Sequence, residues 1–105
     1  MKSEHEIQSE IMVALSRHDC TITRTNVGKV RTADGRIFSA GPSPGWPDIT
    51  GFRHSDGKII LIEVKNAKGK LREDQKRFAN SVKDKPVLYG VCRSVEDALN
   101  VVKGE

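Results

Sequence analysis

The chain has 105 residues, of which 36% are hydrophobic and 30% are charged, so we expect one soluble globular domain spanning residues 1–105. No apolar run approaches the roughly 20 residues of a membrane span, and no signal-peptide pattern opens the chain, which argues against a membrane partner and predicts a cytoplasmic protein. The net charge of +4 is compatible with a polyanionic partner.

The first predicted helix begins after Ser3, because Ser3 and Glu6 have the spacing of a capping box. The helix runs to about His18, and its apolar face comprises Ile7, Ile11, Ala14 and Leu15. Residues 20–25 have the composition of a strand. Residues 26–36 predict turns that carry basic side chains, and residues 37–40 predict a further short strand.

Two strands joined by a tight turn are predicted over residues 48–53 and 58–65, because HSDG at 54–57 is a favourable hairpin sequence. In the second strand apolar side chains point to both faces, which predicts a central strand covered on both sides. A helix from about residue 71 or 72 to Lys83 follows, then a strand over 86–93 and a last helix capped by Ser94. We predict an α/β fold of order α-β-β-β-α-β-α, in which helices flank a central mixed sheet and strands 58–65 and 86–93 are parallel.

An acidic pair is predicted within the hairpin. A four-residue turn at 54–57 pairs Arg53 with Lys58, and continuation of this ladder pairs Asp48 with Glu63 at a Cβ separation of about 4.5–5.5 Å. Burying two such carboxylates is costly unless something compensates. Three compensations are open at this stage: an ion pair with Lys65 on the same face, protonation of one carboxyl group, or a divalent hard cation.

Polar side chains near this pair are further candidates. Gln75 interrupts the apolar stripe of the second helix near its start, beyond the end of a strand, where α/β sheets place their sites. Glu4 lies on the apolar side of the first helix, and Glu10 lies beside that face. A glutamate in a first helical turn also complements the helix dipole, so a purely structural role stays open for Glu4.

The two cysteines, Cys20 and Cys92, each lie in a predicted strand and have no C-x-x-C spacing. We expect two buried free thiols, with a single disulfide as the alternative. A zinc protein that uses the cysteines together with His5, His18 and His54 is a weaker alternative, because these spacings match no standard zinc site.

Four segments together resemble a known family: GWPDIT at 45–50, IEVK at 62–65, GKLREDQKRF at 69–78 and VCRSVEDAL at 91–99. They are similar to the VRR-NUC branch of the PD-(D/E)xK nuclease superfamily, with Pro47-Asp48 as the PD element and Glu63-Val64-Lys65 as the ExK element. The similarity covers nearly the whole chain. It implies a restriction-endonuclease-like core and a small nuclease of a bacterial or phage-infected cell.

The resemblance also implies residue roles. Asp48 and Glu63, with the main-chain carbonyl of Val64, would hold Mg²⁺ or Mn²⁺, and no organic cofactor is implied. The lysine and glutamine of the family correspond to Lys65 and Gln75. The first-helix glutamate best matches Glu4, with Glu10 in reserve. Many relatives have Ser-Pro where this chain has Arg72-Glu73, which adds positive charge and removes a good helix cap.

The implied activity is metal-dependent hydrolysis of DNA. We expect Lys65 to orient water and stabilise phosphoryl charge rather than act as a base, because neighbouring carboxylates favour the charged ammonium group. Small members of the family resemble Holliday-junction resolvases, which implies branched DNA and a homodimer; Phe38 and Trp46 are candidate interface residues, although Trp46 is equally suited to simple packing. The basic residues expected to contact DNA phosphates are Lys29, Arg31, Arg36, Lys68, Lys70, Arg72 and Lys76.

Two other functions remain open from the sequence. Basic clusters are also typical of ordinary solvated surfaces, and the acidic pair is compatible with a structural role. The first alternative is therefore a DNA-binding module with no hydrolytic activity. The second is a nuclease that acts on RNA, which composition does not distinguish from a nuclease that acts on DNA.

Overall fold

The computed structural model describes residues 1–25, 28–40 and 42–104, with only the main chain for 28–31 and 38–40. The helices are α1 (Glu4–Ser16), α2 (Glu73–Val82) and α3 (Val95–Lys103). The strands are β1 (Cys20–Arg24), β2 (Gly28–Arg31), β3 (Ile37–Ala40), β4 (Ile49–Arg53), β5 (Ile59–Val64) and β6 (Leu88–Cys92). A mixed sheet has the order β1-β4-β5-β6, and β2 and β3 form a separate two-stranded sheet.

The predicted fold class is confirmed. The helices and the strands of the four-stranded sheet follow one another in the order α-β-β-β-α-β-α, and β5 runs parallel to β6. The hairpin register is also the predicted one: Ile49 pairs with Ile62, and Phe52 pairs with Ile59. The N–H of Arg53 donates to the carbonyl of Lys58 at 3.0 Å, so the turn at 54–57 closes the ladder. Continuation of this register places Asp48 opposite Glu63.

The expectation of turns throughout residues 26–36 was wrong in part, because β2 pairs antiparallel with β3 over residues 28–31 and 37–40. The sequence of β2 has a weak strand signal, since a single valine stands among glycine and basic residues. Pairing with a neighbouring strand overrides such weak local preference. The helix boundaries also differ slightly from the prediction, because α1 ends at Ser16 and α2 begins at Glu73.

Helices α1 and α3 cover one face of the four-stranded sheet. The start of α1 has the predicted capping box, in which Ser3 Oγ accepts from the N–H of Glu6 at 3.1 Å and Glu6 accepts from the N–H of Ser3 at 3.3 Å. Ser94 Oγ likewise accepts from the N–H of Asp97 and caps α3. The core on this face contains Ile7, Ile11, Leu15, Ile49, Ile60, Ile62, Val64, Leu88, Ala98 and Val102.

Side chains alternate along each strand, so the opposite face of β5 carries Leu61, Glu63 and Lys65. Helix α2 lies on that side and brings Gln75 to Glu63. All but the first residue of β5 are buried, which confirms the predicted central strand. On the α2 side this face is therefore apolar at Leu61 and polar at Glu63 and Lys65, near the end of β5, while the other face packs under α1 and α3.

Cys20 and Cys92 are buried free thiols, as expected. Burial is the main cause that raises the pKa of Cys92, to about 12. No helix in the described part of the chain is long and apolar enough to span a bilayer.

Arg53 joins the end of α3 to β4. Its Nη1 donates to the carbonyls of Val102 and Gly104, both at 2.7 Å, and its Nη2 donates to Asp56 at 2.6 Å. We expect Arg53→Met to lower the free energy of unfolding, because the carbonyls of Val102 and Gly104 lose a charged donor. Urea denaturation measures this loss. Lys85→Met, at an exposed surface position, is the control, and equal effects of the two substitutions would contradict the prediction.

Candidate active site

The residues singled out by the sequence line one cavity of about 420 Å³ on the α2 side of the sheet. Strand β5 ends there and β4 begins, while α1 contributes a residue from its first turn. The candidate residues lining the cavity are Glu4, Asp48, Glu63, Lys65, Arg72 and Gln75. Two helices and two strand ends thus bring together side chains that lie up to 71 positions apart in the chain, from Glu4 to Gln75.

Asp48 is held at its place by the ends of two strands. Its Oδ2 accepts from the N–H of Val64 at 2.7 Å, and its main-chain carbonyl accepts from the N–H of Thr25 at 2.7 Å. Gln8 of α1 also donates to that carbonyl, at 3.5 Å. The orientation of the Asp48 carboxylate is therefore determined by main-chain contacts, while its side chain remains half-buried at the cavity.

Glu63 is 1% exposed, and its two oxygens have different surroundings. Oε1 accepts from Gln75 Nε2 at 3.1 Å, whereas the buried Oε2 has no hydrogen-bond partner among the described residues. Burial raises the pKa of Glu63 to about 9, with the nearby Asp48 carboxylate as the next cause, and the charges of Lys65 and Arg72 act in the opposite direction. A buried carboxyl oxygen beside a second carboxylate needs a proton or a cation. The second compensation, protonation of one carboxyl group, is therefore favoured in the metal-free protein, and the same position is suited to a cation.

Lys65 is 6% exposed and lines the same cavity. Its main-chain N–H donates to the carbonyl of Cys92 at 3.1 Å, which continues the parallel pairing of β5 with β6. Among the ion pairs of the described residues, none joins Lys65 to Asp48 or Glu63. A direct ion pair, the first compensation considered from the sequence, is therefore not the arrangement found.

The oxygen ligands of the cavity fit a hard divalent cation. Asp48 and Glu63 supply two carboxylates, and Mg²⁺ is commonly held by one or two carboxylates while water and phosphate complete its shell. In the residues that the structure describes, no three His, Cys, Asp or Glu side chains come close enough to hold an ion. That finding contradicts the zinc alternative, which needs three or four such ligands.

Comparison with family models gives a match to the VRR-NUC domain over residues 2–96. The chain belongs to the VRR-NUC domain family. It is thus a nuclease-type domain of DNA processing, with DNA as its substrate. A solved structure described as a VRR_NUC domain matches with a TM-score of 0.66 and 15% identity over 97% of each chain, which supports the fold. Comparison with curated proteins finds no match.

In this VRR-NUC domain, Gln75 makes two contacts that the sequence did not reveal. Its Oε1 accepts from the N–H of Arg72 at 2.9 Å, and its Nε2 donates to Glu63. The Arg72 side chain has only donors and so cannot cap the helix N-terminus. The Gln75 amide thus supplies the reciprocal half of a capping box, in which the side chain of the third helical residue accepts from the N-cap N–H. The N–H of Gln75, which an N-cap serine would accept, donates instead to Asp74 Oδ1 at 2.9 Å, so the first turn of α2 itself compensates for the Arg72-Glu73 departure.

Gly45 allows the loop before Asp48 to approach the start of α2. Its φ is +90°, and a Cβ at this position would lie 2.5 Å from the carbonyl oxygen of Asp74. Trp46 follows, donates from Nε1 to Thr50 Oγ1 at 2.9 Å, and packs edge-on against Phe78 with ring centroids 5.0 Å apart. The loop thus closes the cavity wall with a glycine and an aromatic ring.

The structure places Glu4, and not Glu10, at the cavity. Glu10 instead forms an ion pair with Lys2 at 2.8 Å and borders a different surface groove on α1. Glu4 Oε2 lies close to the turn after β5, since a Cβ at Gly69 would be 3.1 Å from it. The first-helix candidate of the sequence therefore reaches the site from a separate element.

The basic residues expected to contact DNA fall into three groups according to what the structure describes of their side chains. Lys68, Lys70, Arg72 and Lys76 are exposed, with Arg72 paired to Asp74 at 3.3 Å and Lys76 to Glu73 at 3.4 Å. Arg36 is exposed and paired to Asp34 at 3.5 Å. The side chains of Lys29 and Arg31 lie outside the described residues, as does that of Phe38.

Arg93 was missed by sequence reasoning. Its Nη1 donates to the carbonyls of Asn66 and Gly69 in the turn that follows Lys65. One signal was available: neighbouring parallel strands end at the same edge of a sheet, so the residue after β6 must lie near the residues after β5.

Proposed function

We propose that this VRR-NUC domain is a Mg²⁺- or Mn²⁺-dependent endonuclease that hydrolyses phosphodiester bonds in branched DNA as a homodimer. The observation that carries the metal dependence is the buried Glu63 Oε2, which lacks a hydrogen-bond partner among the described residues and lies beside a second carboxylate. In the metal-free protein a proton shared with Asp48 compensates this oxygen, since the pKa of Glu63 is raised to about 9, and a divalent cation would take the place of that proton.

The ion would be held by Asp48, Glu63 and the main-chain carbonyl of Val64. When bound, a divalent ion neutralises phosphate oxygens and promotes deprotonation of water near neutral pH. The protein keeps these ligands in place through the Val64 N–H bond to Asp48 and the Gln75 amide bond to Glu63. Hydrogen bonds from neighbouring groups to metal ligands orient those ligands and are needed for full activity.

Lys65 acts on the reacting phosphate in this proposal. Its buried side chain lines the cavity beside Asp48 and Glu63. A fixed cation in a partly dry cavity stabilises negative charge as it develops on the phosphoryl oxygens, and it orients the attacking water. Glu4 borders the same space and is suited to receive a hydrogen bond from that water.

The basic residues named from the sequence would bind phosphates on either side of the cleaved bond. Lys68, Lys70, Arg72 and Lys76 follow the cavity along the turn and the first part of α2. The second group, Lys29, Arg31 and Arg36, belongs to the β2–β3 hairpin. Contacts of this type are independent of base sequence and weaken as salt rises.

An incubation with labelled four-way junction, flap, linear duplex, single-stranded DNA and RNA tests the proposal. Each substrate is treated with Mg²⁺, Mn²⁺ or EDTA, and Asp48→Asn serves as the inactive control. We expect metal-dependent cutting that is fastest on the junction. Cutting in EDTA would contradict the metal mechanism, equal cutting of all DNA substrates would contradict the branch preference, and DNA binding without any cutting would support a non-catalytic module.

An exposed apolar surface supports the homodimer. Phe52 is 45% exposed, Ile59 48% and Trp46 38%, and all three border a cleft of about 860 Å³ between α2 and the sheet. The cleft is walled on the helix side by Phe78 and Val82. Exposed apolar patches of this kind are typical of protein–protein contacts.

We expect Phe52→Asp to convert a dimer into a monomer in analytical ultracentrifugation, because a charge placed in an apolar contact is not compensated. Val13→Asp is the matched control, since Val13 is 52% exposed but lies on α1, away from the cleft. A monomeric wild-type protein, or a Phe52→Asp protein that stays dimeric, would contradict this assignment.

A further inference from the structure

We infer that Arg93 is a positioning residue that holds the turn at 66–69 against Lys65 and Glu4, and that it thereby sets the rate of DNA cleavage rather than the affinity for DNA. The inference rests on the proposed nuclease function. Arg93 itself is not among the residues that line the cavity, so its effect must pass through the turn.

The contacts of the Arg93 side chain are with main-chain atoms. Nη1 donates to the carbonyl of Gly69 at 2.8 Å and also to the carbonyl of Asn66. These two carbonyls bracket the turn that directly follows Lys65 in the chain. A single guanidinium group therefore ties both ends of the turn to the end of β6.

The turn is also closed from within. Asn66 Oδ1 accepts from the N–H of Lys68 at 3.0 Å and from the N–H of Gly69 at 2.8 Å. The N–H of Gly69 lies 3.2 Å from the carbonyl of Asn66 as well. These internal bonds protect the N–H groups of Lys68 and Gly69 from exchange, and we expect them to open more often once Arg93 no longer holds the turn against the sheet.

The turn packs directly on two candidate site residues. A Cβ at Gly69 would lie 3.1 Å from Glu4 Oε2 and 3.2 Å from Lys65 Cδ. Both side chains thus have the turn as a wall, and Lys65 is the last residue before it. If the turn shifted outward, the Lys65 ammonium group would gain freedom, and a displacement of about 1 Å at a reacting centre can lower a rate about a hundredfold.

Arg93 is in turn fixed by α3. Its main-chain N–H donates to Asp97 Oδ2 at 2.9 Å, in the first turn of that helix. Helix α3 therefore fixes the position of Arg93, and Arg93 fixes the position of the turn against which Lys65 packs. An arginine suits this role because its planar group presents several donors in fixed directions, which a lysine does not.

Substitution of Arg93 separates positioning from charge. Arg93→Met removes both the charge and the donors, whereas Arg93→Lys keeps the charge and loses the fixed pair of donors. The matched control is Arg53→Met, because Arg53 also donates from Nη1 to two main-chain carbonyls, but at the end of α3. Each protein is assayed for single-turnover cleavage of junction DNA at saturating protein, for DNA affinity in EDTA, and for amide hydrogen exchange at Lys68 and Gly69.

We expect both Arg93 variants to cleave about tenfold to a hundredfold more slowly than the wild type at saturation. DNA affinity should stay within about threefold for Arg93→Lys, since its charge is retained. Exchange at Gly69 should accelerate in both variants. Arg53→Met should lose stability without slowing cleavage or opening the turn.

Two results would overturn the inference. Wild-type cleavage by Arg93→Lys would show that charge alone is sufficient, and unchanged exchange at Gly69 in Arg93→Met would show that the turn does not depend on Arg93. A wild-type protein that cuts no substrate would contradict the proposed function instead, and the exchange measurement would still decide whether Arg93 holds the turn.

Discussion

Glu63→Gln should lower DNA cleavage about a thousandfold or more, since a metal ligand supplies several kcal/mol of transition-state stabilisation. The same substitution should make the metal-free protein more stable. Glutamine has the size of glutamate and retains an oxygen for the Gln75 amide, but it buries no carboxylate beside Asp48. A Glu63→Gln protein that is inactive but more stable than the wild type would indicate that Glu63 is retained for function and not for stability.

The stability difference should depend on pH. The pKa of Glu63 rises from its ordinary 4.5 to about 9 in the folded protein, so the folded state binds this proton more tightly than the unfolded chain. Its contribution to stability is then fully present below pH 4.5 and is lost as pH rises toward about 9. At pH 7 the metal-free wild type should be less stable than Glu63→Gln by on the order of 2–4 kcal/mol.

Urea unfolding in EDTA between pH 5 and pH 9 measures this difference, and thermal unfolding with added Mg²⁺ measures binding of the ion. The ion should raise the melting temperature of the wild type and leave that of Glu63→Gln unchanged. Glu96→Gln, at an exposed position of α3, is the control for loss of one negative charge. A variant that responds to Mg²⁺ as the wild type does would exclude Glu63 as a ligand.

Lys65→Met should lower cleavage at saturating protein by about a hundredfold to a thousandfold, the range found when one preorganised charge donor is removed from an active site. The melting temperature should still rise with Mg²⁺, because the proposed ligands are the neighbouring carboxylates and a main-chain carbonyl. Loss of activity with retained metal response would assign Lys65 to the phosphate rather than to the ion.

Lys68→Met is the matched control for this experiment, since Lys68 is an exposed lysine three positions further along the chain. It should weaken DNA binding and reduce the slope of affinity against salt by about one, with little effect on the saturated rate. If Lys65→Met cleaved DNA as fast as Lys68→Met, the proposed role of Lys65 would be wrong.

The acidic pair was predictable because a tight turn leaves little choice of register. HSDG at 54–57 aligns β4 with β5, and the same alignment carries Asp48 to the level of Glu63. The parallel pairing of β5 with β6 followed from the helix between them. Local sequence therefore decided the register of β4 with β5, the parallel pairing of β5 with β6 and the centre of the site, but not the place of β1 beside β4.

Contacts between distant segments were not predictable in the same way. The parallel pairing ends with Val64 opposite Cys92, which places Arg93 near the turn at 66–69, but that register does not determine which carbonyls the Arg93 side chain reaches. Strand β2 depends on pairing with β3, because its own sequence has little strand preference. The choice between Glu4 and Glu10 depends on the angle at which α1 crosses the sheet, which periodicity does not determine.

The planar amide group of Gln75 connects the start of helix α2 to strand β5. Its Oε1 accepts a hydrogen bond from the N–H of Arg72 at the start of α2, and its Nε2 donates to the buried carboxyl group of Glu63. A glutamate there would repel Glu63, and a leucine would satisfy neither neighbour. If DNA bound at Lys76 and tilted α2, the Gln75 amide would move with the helix, and we would expect the orientation of the Glu63 carboxyl group to change with it.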